Sequence, residues 1–194
     1  MFTAVGLGNP GEKYKNNRHN AGRLVLQFIA DRQGIEWKEN KKLHALETNA
    51  KFDKSKAVFI LPEGMMNNSG KSVASLIKSK KDLMGLVVLH DDLDLPLGSI
   101  KISFARGSGG HRGVESIMRA LKTREFARVR LGISPATPSG KLKKPQGEKA
   151  VINFILSDFK PAELTMLKKV SKTVEEALGA FATEGRERAM NLFN

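Results

Sequence analysis

The sequence has 194 residues, of which 40% are hydrophobic, and this size and composition suit one globular domain with an ordinary buried core. It contains no cysteine, which excludes disulfides, zinc–thiolate sites and thiol nucleophiles, and no apolar run approaches a membrane span, so we expect a cytoplasmic protein. The formal net charge of +13 favours a polyanionic partner such as nucleic acid, the alternative being an ordinary solvated basic surface.

The N-terminal half of the chain alternates predicted strands with predicted helices. Apolar residues predict a short buried strand over 2–7 that ends in a glycine turn. Helical spacing of apolar residues predicts an amphipathic helix over 21–32, which ends at Gly34. Three further elements are expected in this order: an exposed strand over 44–52, an apolar strand over 57–61 and a helix over 70–79.

The C-terminal half continues this alternation and predicts the fold class. A buried strand over 85–90 is followed by an acidic loop, and a mobile loop is expected over 134–149. The other expected elements are strands over 100–105 and 127–133 and helices over 113–122 and 161–184, with a break at Gly185 before a short tail. The prediction is an α/β fold in a single domain over residues 1–194, a three-layer sandwich in which a mixed, twisted sheet has helices on both faces.

Two glycine-rich segments resemble nucleotide-binding motifs without matching them. Gly6, Gly8 and Gly11 follow a predicted strand, but Pro10 and a polar segment delay the helix whose N-terminus should meet a pyrophosphate. The segment 64–72 departs from a P-loop by one residue, which matters because a P-loop wraps a phosphate with a fixed number of backbone N–H groups. Neither segment therefore predicts nucleotide binding.

The acidic run after the fourth predicted strand is a weak candidate for a metal site. Asp91, Asp92 and Asp94 could bind magnesium, but they also suit a strand end where carboxylates cap a turn. Because no second carboxylate cluster is evident, no metal is expected.

Polar side chains follow three of the predicted strands. Asn9, Asn67 and Asp91 each come directly after a strand or within a few residues of one, and strand carboxyl ends open onto one crevice in an open α/β sheet. His19 lies just past the first glycine turn, near the expected start of a helix. A histidine base, an acidic partner and amide donors are the groups that a hydrolase needs when water is the nucleophile.

Several motifs in order along nearly the whole chain make the sequence resemble the bacterial peptidyl-tRNA hydrolase family. The matching segments are G-L-G-N-P-G at 6–11, R-H-N-A-G at 18–22, M-N-x-S-G at 66–70, H-D-D-L-D-L-P at 90–96, G-G-H-x-G at 109–113 and R-V-R-L-G-I at 128–133. A series of unrelated motifs in this order is far more specific than any one of them.

The resemblance implies an enzyme that cleaves the ester between a peptide and the terminal ribose of tRNA. It makes His19 the general base that activates water, and Asp91 the residue that orients the imidazole and raises its basicity. It makes Asn9 and Asn67 the residues that place the tRNA 3′ end and the peptide carbonyl. It implies no cofactor and a monomer.

The resemblance and the basic charge together indicate residues that contact tRNA. The expected substrate and tRNA contacts are Tyr14, Met65, Met66, Asn67, His111 and Arg112. The expected phosphate contacts, each of which could also be an ordinary surface charge, are Lys101, Arg106, Arg130, Lys141, Lys143 and Lys144.

This chain departs from the family pattern at four places. Arg112 stands where the family usually has asparagine, and we expect it to contact a phosphate. Met65 replaces an aromatic residue, although its thioether can still pack against a base or a sugar. The glycine loop over 107–110 is one residue shorter than usual, and the loop over 134–149 is longer than usual.

Two other functions remain open from the sequence. A non-catalytic RNA-binding protein on the same fold would fit Arg112 and the shortened loop, although it has no need of the His19 and Asp91 pair. A nucleotide-binding enzyme that uses the near-P-loop is a more distant alternative, which an ATP titration would test.

Overall fold

The computed structural model describes residues 1–52 and 55–194, which form one seven-stranded mixed sheet with helices on both faces. The strands are β1 (Phe2–Gly6), β2 (Lys38–Asn40), β3 (Ala45–Phe52), β4 (Ser55–Pro62), β5 (Leu86–Pro96), β6 (Ile100–Phe104) and β7 (Ala127–Ser134). The helices are α1 (Ala21–Gln33), α2 (Ser69–Leu76), α3 (Lys80–Met84), α4 (Arg112–Leu121), α5 (Glu148–Ile155), α6 (Pro161–Glu184) and α7 (Arg186–Phe193). Short 3-10 turns over Glu12–Tyr14, Arg18–Asn20 and Met66–Asn68 lie among them.

The sheet order is β2-β3-β4-β1-β5-β7-β6, with a parallel centre. Strands β4, β1, β5 and β7 run parallel, whereas β2, β3 and β6 extend the sheet with antiparallel pairs. Because β1 and β5 are parallel neighbours, the segments that follow them emerge at the same edge of the sheet. The predicted α/β sandwich with a mixed sheet is confirmed.

Side chains alternate between two hydrophobic clusters, one on each face of the sheet. On β1, Phe2 and Ala4 pack on the face covered by α1, α6 and α7, whereas Val5 packs on the face covered by α2 and α4. Burial on both faces explains why the central strands read as nearly continuous apolar runs.

Two glycines allow unusually close packing of helices near the carboxyl edge of the sheet. A Cβ atom on Gly22 would lie 2.2 Å from the carbonyl oxygen of Leu89, so the first turn of α1 sits directly against β5. A Cβ atom on Gly70 would lie 2.2 Å from the carbonyl oxygen of Ser116, where α2 crosses α4. Glycine at these positions therefore fixes how closely the loops of the site approach one another.

Most predicted elements occur within one or two residues of their predicted bounds, and the helix over Pro161–Glu184 occurs as predicted. The predicted helix over 70–79 instead ends at Leu76, because Ile77 is extended and Ser79 caps the separate helix α3 through the backbone N–H of Asp82. The expected acidic loop after residue 90 is a continuation of β5 to Pro96. The strand expected to be exposed lies between β2 and β4 with alternate residues buried.

Three elements had no clear sequence signal. Strand β2 is three residues long and polar, and α5 begins inside the segment expected to be a loop. The expected short tail after Gly185 is helix α7, whose Ala189 is buried in the core. None of the helices within the described residues is both long and apolar enough to cross a membrane.

Candidate active site

A cleft of about 1460 Å³ opens at the carboxyl edge of the parallel strands. Five predicted residues meet along it: Asn9 after β1, His19 in the turn before α1, Asn67 in the turn after β4, Asp91 within β5 and His111 before α4. This volume exceeds that of ordinary small-ligand pockets, about 300–1,000 Å³, so the cleft can accept part of a larger substrate.

Asp91 lies at the centre of the site and contacts two histidines. The Nδ1 atom of His19 lies 3.0 Å from Asp91 Oδ1 and 3.1 Å from Oδ2. The Nε2 atom of His111 lies 2.9 Å from Asp91 Oδ1. All three side chains are buried, and the two imidazole rings are 4.8 Å apart. The predicted His19 and Asp91 pairing is present, and His111 is a second partner of the carboxylate.

Backbone contacts assign the tautomer of His111. Its Nδ1 atom accepts hydrogen bonds from the backbone N–H groups of Gly113 and Val114, in the first turn of α4. Nδ1 therefore carries no proton, and Nε2–H donates to Asp91. Both ring nitrogens bind protein atoms, so neither is free to hydrogen-bond a substrate, and the expected contact of His111 with tRNA stays a prediction. Its ring orients the carboxylate and caps the helix.

Opposing effects set the protonation of His19. Burial lowers the pKa of His19, but the charge of Asp91 and its hydrogen bond outweigh burial, so the pKa is raised above 6.5. The positive charge of Arg112 lowers this pKa. For Asp91, burial raises the pKa, but the two histidines outweigh it and hold the pKa well below its usual range. Asp91 is therefore a carboxylate that accepts Nδ1–H of His19, so that Nε2 is the proton acceptor in the neutral form of this ring.

A second buried pair, His90 and Arg128, lies next to His111. Burial, and then the positive charge of Arg128, hold the pKa of His90 well below 6.5, so this ring is neutral. Its Nδ1–H donates to the carbonyl oxygen of Asp91 at 2.7 Å, and its Nε2 faces a guanidinium nitrogen of Arg128 at 3.4 Å. Arg128 also donates to the carbonyl oxygen of Gly107 at 2.8 Å. This pair therefore holds the glycine loop at the cleft, a role that the sequence motifs did not indicate.

The amide of Asn9 is oriented by the protein. Its Oδ1 accepts the backbone N–H of Met66 at 2.7 Å, which leaves Nδ2 as a donor at the cleft. The side chain of Asn20 binds the backbone of Asn9 twice, through Oδ1 to N at 2.8 Å and through Nδ2 to O at 2.9 Å. Asn20 was not predicted, although it lies in the R-H-N-A-G motif, and it holds the first glycine turn against α1.

The turn after β4 and the start of α4 supply the other predicted contacts. Asn67 and Met65 are exposed and line the cleft, whereas Met66 is buried beneath them. Arg112 is exposed, lines the cleft, and makes no side-chain hydrogen bond or ion pair with the described residues. The side chains of Asn67 and Arg112 are therefore open to a ligand.

The basic residues predicted to contact phosphate fall into two groups. Four of them line the cleft: Lys101, Arg106, Arg130 and Lys144. Arg130 is paired with Asp92 at 2.7 Å and Lys144 with Asp94, so these charges are partly neutralised. The other two, Lys141 and Lys143, are exposed but lie outside the cleft lining, as does the half-buried Tyr14.

Two helices that the sequence did not predict form a wall of the cleft. Val151, Ile152 and Ile155 of α5 and Met190 of α7 give this wall an apolar surface. The wall is joined to the turn that carries His19 by Arg18, which donates to Glu163 at 2.6 Å and lies over the rings of Phe154 and Phe159. The α5 periodicity could have been found from the sequence, but the prolines and glycines before it indicate a loop.

The cluster at the centre of the site could also hold a cation. His19, Asp91 and His111 each offer one ligand atom, all within 4.8 Å of one another. Both imidazoles already face Asp91 Oδ1 at hydrogen-bond distance, and His111 Nδ1 caps α4. Hydrogen bonds therefore account for this geometry without an ion, and the expected absence of a metal stays a prediction.

The arrangement supports hydrolysis with water as the nucleophile. A neutral imidazole held by a carboxylate can take a proton from water, and the Asn9 and Asn67 amides can donate to a developing oxyanion. Basic residues along the cleft, some of which form no ion pair with the described residues, suit a substrate that carries phosphates.

Comparison with known proteins identifies close relatives of this chain. The family model described as peptidyl-tRNA hydrolase matches residues 3–194. A peptidyl-tRNA hydrolase from Syntrophotalea carbinolica is 38% identical, with all of this chain and 97% of the relative covered. A peptidyl-tRNA hydrolase from Herpetosiphon aurantiacus is 39% identical, with 100% of this chain and 90% of the relative covered. The crystal structure of peptidyl-tRNA hydrolase from Acinetobacter baumannii superposes with a TM-score of 0.85 at 29% identity, covering 100% of this chain and 94% of that one.

Proposed function

This chain belongs to the peptidyl-tRNA hydrolase family and is an enzyme that hydrolyses the ester bond of peptidyl-tRNA, and we propose that His19 is its general base. The observation that carries this assignment is the Nδ1–H of His19 bound to the ionised Asp91, with Nε2 free at the cleft. His19, Asp91, Asn9 and Asn67 together supply a base, its orienting partner and two amide donors.

The proposed reaction begins with water bound to Nε2 of His19. His19 accepts a proton as the water oxygen bonds to the carbonyl carbon of the peptide ester. The carbonyl π electrons move to its oxygen, and Nδ2 of Asn9 and the amide of Asn67 donate hydrogen bonds to this oxyanion. Asp91 stabilises the imidazolium that forms, because its carboxylate is already bound to Nδ1–H.

The second step expels the tRNA. The oxyanion collapses to a carboxylic acid as the bond to the ribose oxygen breaks, and the imidazolium returns its proton to that oxygen. The ester leaving group is an alkoxide, which is easier to expel than an amine, so neither a covalent nucleophile nor a metal is needed. The products are a free peptide and a tRNA with a free terminal hydroxyl group.

Substrate selection in this proposal comes from contacts with RNA. Lys101, Arg106 and Arg130 contact backbone phosphates at the β6 and β7 edge of the cleft, and Met65 packs against the terminal nucleotide. Lys141, Lys143 and Lys144 extend this surface on the loop before α5, and Tyr14 contacts the tRNA end from the turn before α1. We further propose that the protein acts in the cytoplasm, in keeping with the absence of cysteine. We also propose that it is a monomer.

Nothing in the fold, the site or the relatives favours the alternative of a non-catalytic RNA-binding protein. The buried network of His19, Asp91 and His111 argues against it. Burying a carboxylate is costly unless it is paired, and a protein that only binds RNA has no need of such a buried pair.

The direct test is hydrolysis of N-acetylaminoacyl-tRNA by the wild type and by His19→Ala. We expect the substitution to reduce kcat at least about 100-fold while tRNA affinity changes little, because it removes the base and leaves the phosphate contacts. His44→Ala is the matched control, since His44 is exposed and outside the cleft lining. Equal turnover by wild type and His19→Ala would contradict the assignment of the base.

A further inference from the structure

Arg112 is a cation of the cleft that the hydrolytic mechanism does not use. It is the first residue of α4, it follows His111 directly, and its exposed side chain lines the cleft. Two other cations of the cleft, Arg130 and Lys144, are paired with Asp92 and Asp94. Arg112 has no such partner among residues 1–52 and 55–194, so its full charge is available to a ligand.

The position of Arg112 is unfavourable for the protein without a ligand. A cation in the first turn of a helix opposes the helix dipole, which favours anions there. The other charged residue of this turn, Glu115, accepts a hydrogen bond from Ser108 instead of pairing with Arg112. The charge of Arg112 also disfavours protonation of His19. Fold stability therefore gives no reason for a cation here, whereas an incoming anion would relieve both repulsions.

We propose that Arg112 binds the phosphate of the terminal nucleotide of the substrate and thereby selects esters carried on RNA over neutral esters. This inference rests on the proposed function for the position of the scissile ester. That ester is attached to the terminal ribose, so the phosphate of the same nucleotide must lie within one nucleotide of His19. Arg112 is the unpaired cation that follows His111, a residue in contact with the catalytic carboxylate.

The chemistry of the guanidinium suits this ligand. Its planar array of N–H donors binds two phosphate oxygens at once, and the helix N-terminus adds a favourable electrostatic term for the same anion. Lysine would keep the charge without the paired hydrogen bonds. Glutamine would remove the charge while keeping an amide group on a shorter side chain.

The test uses the full chain with three substitutions, Arg112→Gln, Arg112→Lys and Arg119→Gln. Arg119 is the matched control because it is also exposed on α4, seven residues further along, and lies outside the cleft lining. Inhibition by adenosine 5′-monophosphate and by adenosine is measured against hydrolysis of N-acetylaminoacyl-tRNA. Direct binding of the two inhibitors is measured by calorimetry.

We expect Arg112→Gln to weaken binding of adenosine 5′-monophosphate roughly tenfold and to leave binding of adenosine unchanged, because it removes one charge-assisted interaction with the phosphate. Arg112→Lys should restore part of this affinity, and Arg119→Gln should leave both inhibitors unchanged. The KM for N-acetylaminoacyl-tRNA should rise in Arg112→Gln.

Three results would overturn the inference. Wild type that binds the nucleotide no better than the nucleoside would show that the cleft holds no phosphate there. An unchanged nucleotide affinity in Arg112→Gln would show that Arg112 does not bind the phosphate, and a lower kcat on the plateau above the acidic limb of the pH profile would then assign Arg112 to the oxyanion. An equal decrease in nucleotide affinity in Arg112→Gln and Arg119→Gln would show that Arg112 acts only through the overall positive charge of the protein. Because calorimetry needs no turnover, failure of the proposed hydrolysis would be recognised separately.

Discussion

Asp91 accepts hydrogen bonds from two histidines, and this arrangement gives the two rings different roles. His111 cannot reorient, because its Nδ1 atom caps α4 while its Nε2–H binds the carboxylate. A fixed carboxylate in turn fixes Nδ1–H of His19 and keeps Nε2 directed to the cleft. His19, the proposed general base, is therefore positioned through a chain of contacts that ends in a helix backbone.

The pH dependence of hydrolysis should report the two charges that act on His19. His19 must be neutral to act as a base, so activity is lost as the pH falls through its raised pKa. Asp91→Asn removes the groups that raise this pKa, so the acidic limb of the profile should move to lower pH and kcat should fall at least about 100-fold. Arg112→Gln removes a charge that lowers the pKa, so its acidic limb should move to higher pH. The measurement is kcat for N-acetylaminoacyl-tRNA against pH.

Asp31→Asn is the control for these profiles, because Asp31 is exposed on α1 and outside the cleft lining. If the acidic limb moved in the same direction in Asp91→Asn and in Arg112→Gln, it would not report the protonation of His19.

At the scale of elements, the separation between His19 and Asp91 depends on how closely α1 approaches β5. Gly22 is in the first turn of α1 and touches the backbone at Leu89, two residues before Asp91. The main chain of Leu7 also binds this junction, through Arg23 N–H to Leu7 O at 2.9 Å and Leu7 N–H to Leu89 O at 3.0 Å. The 3.0 Å distance between His19 Nδ1 and Asp91 Oδ1 therefore depends on a packing contact between backbones.

Gly22→Ala should reduce both stability and turnover. Its Cβ atom would lie 2.2 Å from a carbonyl oxygen of β5, so α1 must shift, at a cost of about 1–3 kcal/mol in the free energy of unfolding. The shift would lengthen the contact of His19 with Asp91 and lower kcat. Urea unfolding and kcat for N-acetylaminoacyl-tRNA measure the two effects.

Gly179→Ala is the contrasting control within α6, because its nearest neighbour would be Phe52 Cδ1 at an ordinary 3.6 Å. This change should stabilise the protein by about 1 kcal/mol through helix propensity, without loss of turnover. A Gly22→Ala protein as stable and active as the wild type would refute the packing argument.

The junction of α5 and α6 shows a second coupling between elements. Asn17 donates to Asp158 at 2.6 Å, the backbone N–H of Arg18 donates to Ser157 at 3.0 Å, and Arg18 reaches Glu163 in the first turn of α6. The cleft wall is therefore anchored to the two residues that precede His19.

At the scale of the whole molecule, the basic residues behind the net charge of +13 differ in their distance from the cleft and in whether they form ion pairs. Lys101 and Arg106 line it without an ion pair among the described residues, whereas Arg130 and Lys144 are partly neutralised. Lys141 and Lys143 carry similar charge but lie away from the cleft lining. For phosphate binding, the position of a basic residue at the cleft and its freedom from an ion pair should therefore matter more than the total charge.

The salt dependence of substrate binding tests this distribution. Removal of one cation that binds a phosphate should reduce the slope of log KM against log salt by about 0.7–0.9. We expect this reduction for Lys101→Gln and for Arg106→Gln, and a smaller one for Lys141→Gln, measured with N-acetylaminoacyl-tRNA over a series of salt concentrations. A larger reduction in Lys141→Gln would instead identify the loop before α5 as the main phosphate-binding segment.

The sequence by itself determined the alternation of strands and helices, and it predicted the principal residues of the site. Apolar periodicity is a local property, so the long helix from Pro161 and the buried strands could be predicted from neighbouring residues. The convergence of Asn9, Asn67 and Asp91 could be predicted because polar residues after parallel strands must meet at one edge of the sheet, whereas the role expected of His19 came from the family resemblance.

Only the tertiary structure decided which groups surround these residues and what each of them does. The pairing of His111 with Asp91 joins residues 20 positions apart, and the contact of Arg18 with Glu163 joins residues 145 positions apart. Helices α5 and α7 form a wall of the cleft because they pack against distant strands and turns, and their own sequences do not encode that position. Hydrogen bonds and burial across such separations depend on three-dimensional packing, and local sequence patterns do not record it.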